Sequence, residues 1–422
     1  MNVIISAVAC TPEGGSEGGV GWNAVLTIAE EHDVRVITQK MYENAWERAL
    51  ANDMVPENVR VRYIDCGGDW HSNRMLAKLQ SWTRYLAFSR KVLAMALEWH
   101  EEEPSDLIHQ VTYATWRVAS PIWKMPVPSV WGPVGGAAVF PREFMGILGG
   151  SARAFERLRF FTGKLAEKNR GFLDCVRNST VVLAANAETR DFLRLFRQDG
   201  PVLELPVAYL SDEKIEGFRN RTKSVKHESR RLELFAGGNI EGRKGVSLAL
   251  KAIAKLKAKG VQVHYTVAGG GPEIPTLRKL ASQLGIEDQV LFHPGYRGRE
   301  YLEKLWESDI YFLPSFRETT PVTLLEAALA GCLPVVADTS AAGEMAGRIG
   351  GIGVPAVSPA GLVDGMAEAV ERLYMNRTEL YEMSLAVSEA AADKYSKSRY
   401  RETIREAYRL ASADGSSQRR EG

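Results

Sequence analysis

The sequence predicts an α/β protein of two doubly wound domains, and three observations carry that prediction. A chain of 422 residues exceeds the size at which one hydrophobic core stops growing. Short apolar runs of strand length alternate with segments of helical period. Glycine-rich turns stand between strand and helix in both halves, where open parallel sheets receive ligands. A composition of 45% hydrophobic and 25% charged residues is ordinary for a soluble globular protein, so two full cores can be buried. The domains are placed at 1–210 and 211–395, followed by a helix at 396–411 and a small, polar, disordered tail at 412–422.

The elements of the first half follow from the same signals. Asn2 to Ala9 is an apolar strand, and after it Thr11-Pro-Glu-Gly-Gly-Ser-Glu-Gly-Gly-Val-Gly-Trp22 leads into a helical pattern ending near Glu31. Such a loop lets backbone approach a phosphate or sugar closely, but it lacks the spacing of a dinucleotide fingerprint and is as often structural. Arg74 to His100, with Trp82, Tyr85, Phe88 and Trp99, reads as a core-facing helix. Asp106 to Gln110 is a strand with His109 near its end, where a histidine is commonly a satisfied structural residue. Pro128-Ser-Val-Trp-Gly-Pro-Val-Gly-Gly136 is a strand and turn, either an acceptor-side loop or a purely structural turn. Arg153 to Arg177 sets Arg153, Arg157, Arg159, Lys164, Lys168 and Arg170 among Phe155, Phe160, Phe161 and Phe172. It reads two ways: an amphipathic stretch lying on an anionic surface, or an ordinary helix whose phenylalanines pack inward. Val202 to Leu205 is a strand, and the charged stretch Ser211 to Arg231 is the connection between domains.

The second half carries the chemistry. Leu232 to Ala236 is a strand whose glycine turn leads to Lys244; Tyr265-Thr-Val-Ala-Gly-Gly-Gly-Pro-Glu273 repeats strand and glycine turn; Val290-Leu-Phe-His-Pro-Gly-Tyr-Arg297 follows. Glu318 and Glu326 then stand with seven residues between them in a β-loop-α-β unit, with strands at Ile310–Leu313 and Val335–Ala337 and a helix over Val322–Ala330. Thr320 is the expected N-cap, Pro321 suits the first helical position and Gly331 the stop. The unpaired N–H groups and positive dipole end of this helix favour a phosphate. Glu318 on the loop can accept from a sugar's hydroxyls, and Glu326 inside the helix can accept a pair from a ribose diol. The bland alternative for Glu326 is a solvated glutamate on a surface helix. Arg401 to Leu410 is a terminal helix.

The run Leu313-Pro-Ser-Phe-Arg-Glu-Thr-Thr-Pro-Val-Thr-Leu-Leu-Glu-Ala-Ala-Leu-Ala-Gly-Cys-Leu-Pro-Val-Val-Ala337 resembles the Glu-x7-Glu signature of retaining glycosyltransferases of family 4, and the three preceding stretches match in order. The resemblance implies the GT-B fold, two Rossmann-like domains facing across a cleft, with the terminal helix crossing back to the first. It implies that Lys244 meets the donor pyrophosphate, that Glu318 and His109 lie beside the donor sugar, and that Glu326 binds the ribose. Gly18 and Gly19 correspond to the family's first loop, and Tyr296 and Arg297 to the nucleobase side. Together with the 128–136 turn, the first loop is similar to a subgroup found in bacterial polysaccharide assembly. There are two departures. Gly238 stands where many members have an arginine, so that Arg243 is the candidate replacement, and Thr319, Thr320 and Pro321 stand where glycines are usual.

The expected function is therefore transfer of a hexose, with retention, from a nucleoside-diphosphate sugar to a glycan or lipid-linked saccharide. A soluble small-molecule acceptor and a GT-B nucleotide-sugar epimerase are the alternatives. A glycoside hydrolase would have no need of the phosphate-type loops, and a non-catalytic binding module would hold donor without turnover. The chain has no Asp-x-Asp pair, so no metal or other cofactor is expected, and the leaving diphosphate falls to Lys244, Arg243 and the N–H groups around Thr319, Thr320 and Val322. A net charge of +1 gives no support to nucleic-acid binding. Cys10, Cys66, Cys175 and Cys332 are scattered without a Cys-x-x-Cys pair, Met1 leads straight into a strand, and no apolar run spans a bilayer. The expected location is cytoplasmic, with the 153–177 stretch the candidate for peripheral contact at the inner membrane face. Donor sugar and base, acceptor, linkage and oligomeric state have no signal in the sequence.

Overall fold

A computed structural model describes residues 1–13, 17–67, 74–219 and 231–418. The architecture is α/β, and the chain divides into two compact units. The first comprises Met1–Ala137, Thr162–Ala208 and Tyr400–Gly422; the second comprises Ala138–Phe161 and Tyr209–Arg399. The division is therefore not the contiguous one drawn from the sequence: residues 138–161 belong with the second unit. The terminal helix Lys397–Gln418 continues into the stretch read as a tail, and positions 419–422 lie outside the described residues. The linker reading at 211–231 falls partly on a helix, Asp212–Arg219, and partly outside the described residues.

The first unit contains a seven-stranded sheet of β1 (Asn2–Ala7), β2 (Asp33–Gln39), β3 (Val59–Ile64), β4 (Leu107–Thr112), β5 (Ser129–Val134), β6 (Val181–Ala184) and β7 (Val202–Glu204). All pairs are parallel, in the order β3-β2-β1-β4-β5-β6-β7, so the winding reverses between β1 and β4. A parallel sheet covered on both faces buries its strands completely. All six residues of β4 are buried accordingly, and two apolar clusters serve the sheet, one around Ile4, Phe88 and Ile108, the other around Trp131, Phe172 and Val182. Tyr85, Phe88 and Trp99 of the long Arg74–Glu102 helix are buried as expected; the Trp82 side chain lies outside the described residues.

This burial determines the state of His109. It pairs with Ile5 of β1 in register and has no solvent exposure. Its Nε2–H donates to the Gly132 carbonyl at 2.7 Å, and its Nδ1 accepts from the Tyr408 hydroxyl of the terminal helix at 2.9 Å. Burial pushes the imidazole down to about 4, against a smaller rise from the Gly132 carbonyl, so the ring is neutral at pH 7. Both nitrogens are consumed by protein groups, which corrects the catalytic expectation: His109 fastens the terminal helix to the sheet of the first unit.

The second unit repeats the winding with six strands, β8 (Leu232–Gly237), β9 (Val263–Ala268), β10 (Val290–His293), β11 (Ile310–Leu313), β12 (Leu333–Ala337) and β13 (Ile352–Val354). They are parallel in the order β10-β9-β8-β11-β12-β13, reversing between β8 and β11. One continuous core contains the inner faces of this sheet together with Phe140, Phe144 and Leu148 from the 138–161 segment. That shared core explains why the segment belongs here.

Candidate functional site

The strand order reverses between β8 and β11, and the carboxyl ends of the strands at such a reversal are where doubly wound sheets bind ligands. From the β8 side a short turn, Gly242–Lys244, brings Lys244, which is 8% exposed. From the β11 side the loop Pro314–Arg317 brings Glu318. Glu318 Oε1 accepts from Lys244 Nζ at 2.5 Å, from Ser315 Oγ at 2.6 Å and from Arg243 Nη1 at 3.3 Å. Among the described residues the donors found on this carboxylate all fall on Oε1. Burial raises the Glu318 carboxyl, but the Lys244 and Arg243 cations outweigh it and hold the group below its usual range. The Glu318 N–H donates to Ser340 Oγ at 3.0 Å, which ties the loop to the start of the Ser340–Ile349 helix after β12.

The helix after this loop runs Val322–Leu329. Its cap position is Pro321, one residue later than expected, and the Thr320 side chain does not serve as the cap. The Val322 N–H donates to the Thr320 carbonyl at 3.0 Å. It is thus turned onto its own loop, a correction to its expected place among the phosphate-facing donors. Glu326 is 8% exposed, which disposes of the solvated-surface reading. Its Oε2 accepts from the Tyr301 hydroxyl at 2.7 Å, and its Oε1 accepts from Lys214 Nζ. Burial and the Glu326 charge push the Tyr301 phenol far above its usual range, so it stays protonated and donates.

The 138–161 segment buttresses the loop. Phe140 and Phe144 pack on Phe316 with ring centroids 5.1 and 4.4 Å away, and Glu156 Oε1 accepts from Arg317 Nη2 at 2.7 Å. Arg317 and Glu156 side chains are 17% and 8% exposed, so either left alone would be a costly buried charge. The arrangement locks the residue immediately before Glu318.

The remaining expected residues fall into two groups. Gly238 has φ +117°, and the nearest atom to a β-carbon placed there would be Lys244 Nζ at 3.9 Å. The place of the missing arginine is open space beside Lys244, and the second cation comes from Arg243, which also donates to the Arg317 carbonyl at 2.7 Å. Tyr296 follows β10 and stacks on His293 at 3.9 Å and 5°; Arg297 is exposed and stands at the N-cap position of the next helix without a side-chain capping bond. Gly18 and Gly19 lie in the first turn of the Glu17–Ala29 helix of the first unit, and residues 14–16 of their loop lie outside the described residues. Sequence reasoning missed Ser315, whose partner Glu318 is only three residues on, and Arg317, Tyr301 and Lys214, whose roles come from partners distant in sequence. Among the described residues no group of three or more His, Cys, Asp or Glu side chains is placed to hold a metal ion, and no helix is long and apolar enough to cross a membrane.

Residues 218–392 match the family model described as Glycosyl transferases group 1. A putative colanic acid biosynthesis glycosyltransferase, WcaL of Salmonella typhimurium, is 36% identical over 27% of this chain and 29% of its own length. The alpha-D-kanosaminyltransferase of Streptomyces kanamyceticus is 28% identical over 58% of this chain and 62% of its own. The chain thus spans less than two thirds of the length of either relative. Among solved structures, sucrose-phosphate synthase from Thermosynechococcus elongatus covers 98% of this chain and 99% of its own at TM-score 0.66 and 15% identity. WaaG, a glycosyltransferase involved in lipopolysaccharide biosynthesis, covers 93% of this chain and 96% of its own at TM-score 0.55 and 18% identity. The fold is that of the GT-B glycosyltransferases, and the segment that holds Lys244, Glu318 and Glu326 is similar to the glycosyl transferases of group 1.

Proposed function

We propose that the protein is a retaining glycosyltransferase of family 4 type, which moves a hexose from a nucleoside-diphosphate sugar to a hydroxyl of a glycan or lipid-linked saccharide in bacterial polysaccharide assembly. The observation that carries the reading is the convergence of Lys244, Arg243 and Ser315 on Glu318 at the reversal point of the second sheet. Similarity to glycosyltransferases of colanic acid and amylovoran biosynthesis supports the polysaccharide context.

In the reaction the bond from the anomeric carbon to the β-phosphate oxygen breaks, and a bond from the acceptor oxygen forms on the same face. The acceptor's proton passes to the leaving phosphate. Lys244 and Arg243 meet the negative charge that develops there without a metal ion, Glu318 Oε2 accepts from the sugar's hydroxyls, and Glu326 accepts from the ribose diol. Calorimetry with uridine, guanosine, adenosine and thymidine diphosphate sugars tests the reading. One donor is expected to bind saturably, and Glu326→Ala to weaken it by roughly 100-fold or more, the loss of two hydrogen bonds to a charged acceptor. Binding of no donor, with or without saccharide present, overturns it.

The cytoplasmic, peripheral location belongs to the same proposal and is supported by the Gly150–Ala166 helix. Phe172, beyond it, is buried, but on the helix itself Phe155, Leu158, Phe161 and Leu165 are 51–72% exposed, with Arg157 and Lys164 also exposed. Exposed apolar and basic side chains on one helix suit an anionic lipid surface. Sedimentation with phosphatidylglycerol vesicles should exceed that with phosphatidylcholine vesicles, and Leu158→Asp with Phe161→Asp should remove the difference. Equal sedimentation of both proteins with both vesicles would refute the membrane contact.

A further inference from the structure

We propose that Lys214 is a positioning residue of the donor site, which holds and charge-balances the Glu326 carboxylate so that it receives the ribose of an anionic nucleoside diphosphate. The inference rests on the reading of Glu326 given above. Lys214 lies in the Asp212–Arg219 helix, in a stretch whose composition reads only as a connection. That helix is anchored: Ile215 and Phe218 are buried in the core of the second unit, and Leu210 just before it is bound by backbone to Tyr395 and Lys397. Lys214 is therefore delivered to one place. Its own helix carries Asp212, Glu213 and Glu216, yet its ammonium pairs with Glu326, 112 residues away.

The pairing matters because of where it sits. The Glu326 side chain is 11% exposed, and that of Lys214 is 43% exposed. A pair this open at one end adds little to stability. For a ligand the effect is larger. Lys214 and Tyr301 take one lone pair from each carboxylate oxygen, which fixes the carboxylate plane and leaves one lone pair on each for the two ribose hydroxyls. The cation also cancels a carboxylate charge that would repel the diphosphate. Glu318 is balanced by Lys244 and Arg243, and Glu326 by Lys214, so neither signature glutamate is without a cation.

The test is a double-mutant cycle on binding of the nucleoside diphosphate that the donor panel selects, read by calorimetry beside a melting curve for each variant. Lys214→Met is expected to weaken binding about 10-fold at unchanged melting temperature, and Lys214→Arg to restore it to within about threefold. In a Glu326→Gln background Lys214→Met should change affinity less than about twofold, because no carboxylate remains to be held. A merely structural lysine would show no such coupling. Equal affinity of Lys214→Met and the unsubstituted protein, or full additivity with Glu326→Gln, overturns the proposal while the donor reading stands. Absence of nucleoside diphosphate binding by the unsubstituted protein overturns both.

Discussion

Lys244→Ala is expected to lower turnover by about 100- to 1,000-fold, the usual cost of removing one preorganised donor from a developing charge, with acceptor affinity changed less than about threefold. The magnitude follows from burial. Lys244 is 8% exposed, so its charge acts in a site where water screens little, and no movement is needed to present it. The substitution has a second, independent signature. Burial raises the Glu318 carboxyl and Lys244 is the stronger of the two cations that bring it below the ordinary 4.5. A carboxyl depressed in the folded state stabilises the fold above its unfolded value, and that contribution is lost as pH falls through the folded value. Without Lys244 the folded value moves up and this contribution shrinks, so Lys244→Ala should lose less melting temperature than the unsubstituted protein when the pH is lowered below about 5. An unchanged rate would remove Lys244 from the mechanism. An unchanged acid limb would show that Arg243 alone sets the charge state of Glu318.

The parts of this site legible in the sequence are those whose signal is local. The glutamate-bearing unit appears as β11, the Val322–Leu329 helix and β12, close to the expected bounds, because short apolar runs, Pro321 and Gly331 are punctuation within a few residues. Lys244 was singled out differently, by the resemblance of the 232–245 stretch to the family's strand, glycine turn and lysine. Tyr301 and Lys214 were not, since what makes them matter is Glu326, and nothing near them in sequence refers to it. The 138–161 segment was assigned by continuity to the first domain, whereas three aromatic rings, Phe140, Phe144 and Phe316, decide the matter through space. His109 could have been read better. A polar residue inside a central strand of a two-face-covered parallel sheet is buried on either face, and must then spend its hydrogen bonds on the protein.

Gly269→Ala is the substitution expected to damage the fold most, and it shows how closely the phosphate-side turns depend on backbone packing. The turn after β9 lies against the turn after β8: Gly238 N–H donates to the Ala268 carbonyl at 3.0 Å, and Ile240 N–H to the Gly270 carbonyl at 2.8 Å. Gly269 sits between these bonds with φ +135°, and a β-carbon there would lie 1.9 Å from the Gly238 carbonyl oxygen. The neighbour is backbone and cannot swing away as a side chain would. Alanine must therefore carry about 1–3 kcal/mol of conformational strain and also push the two turns apart, for a total of about 4 kcal/mol. Gly270, one residue on, has no atom within 4 Å of the same position, so Gly270→Ala should stay within about 0.5 kcal/mol and serves as the control. Urea unfolding followed by circular dichroism measures both. Because Gly238 is the residue displaced and Lys244 lies beside it, the Gly269 variant should also lose donor affinity under conditions where it remains folded. A urea midpoint equal to that of the unsubstituted protein would mean that the two turns separate without cost, and the phosphate side of the site would then not be preorganised by its backbone.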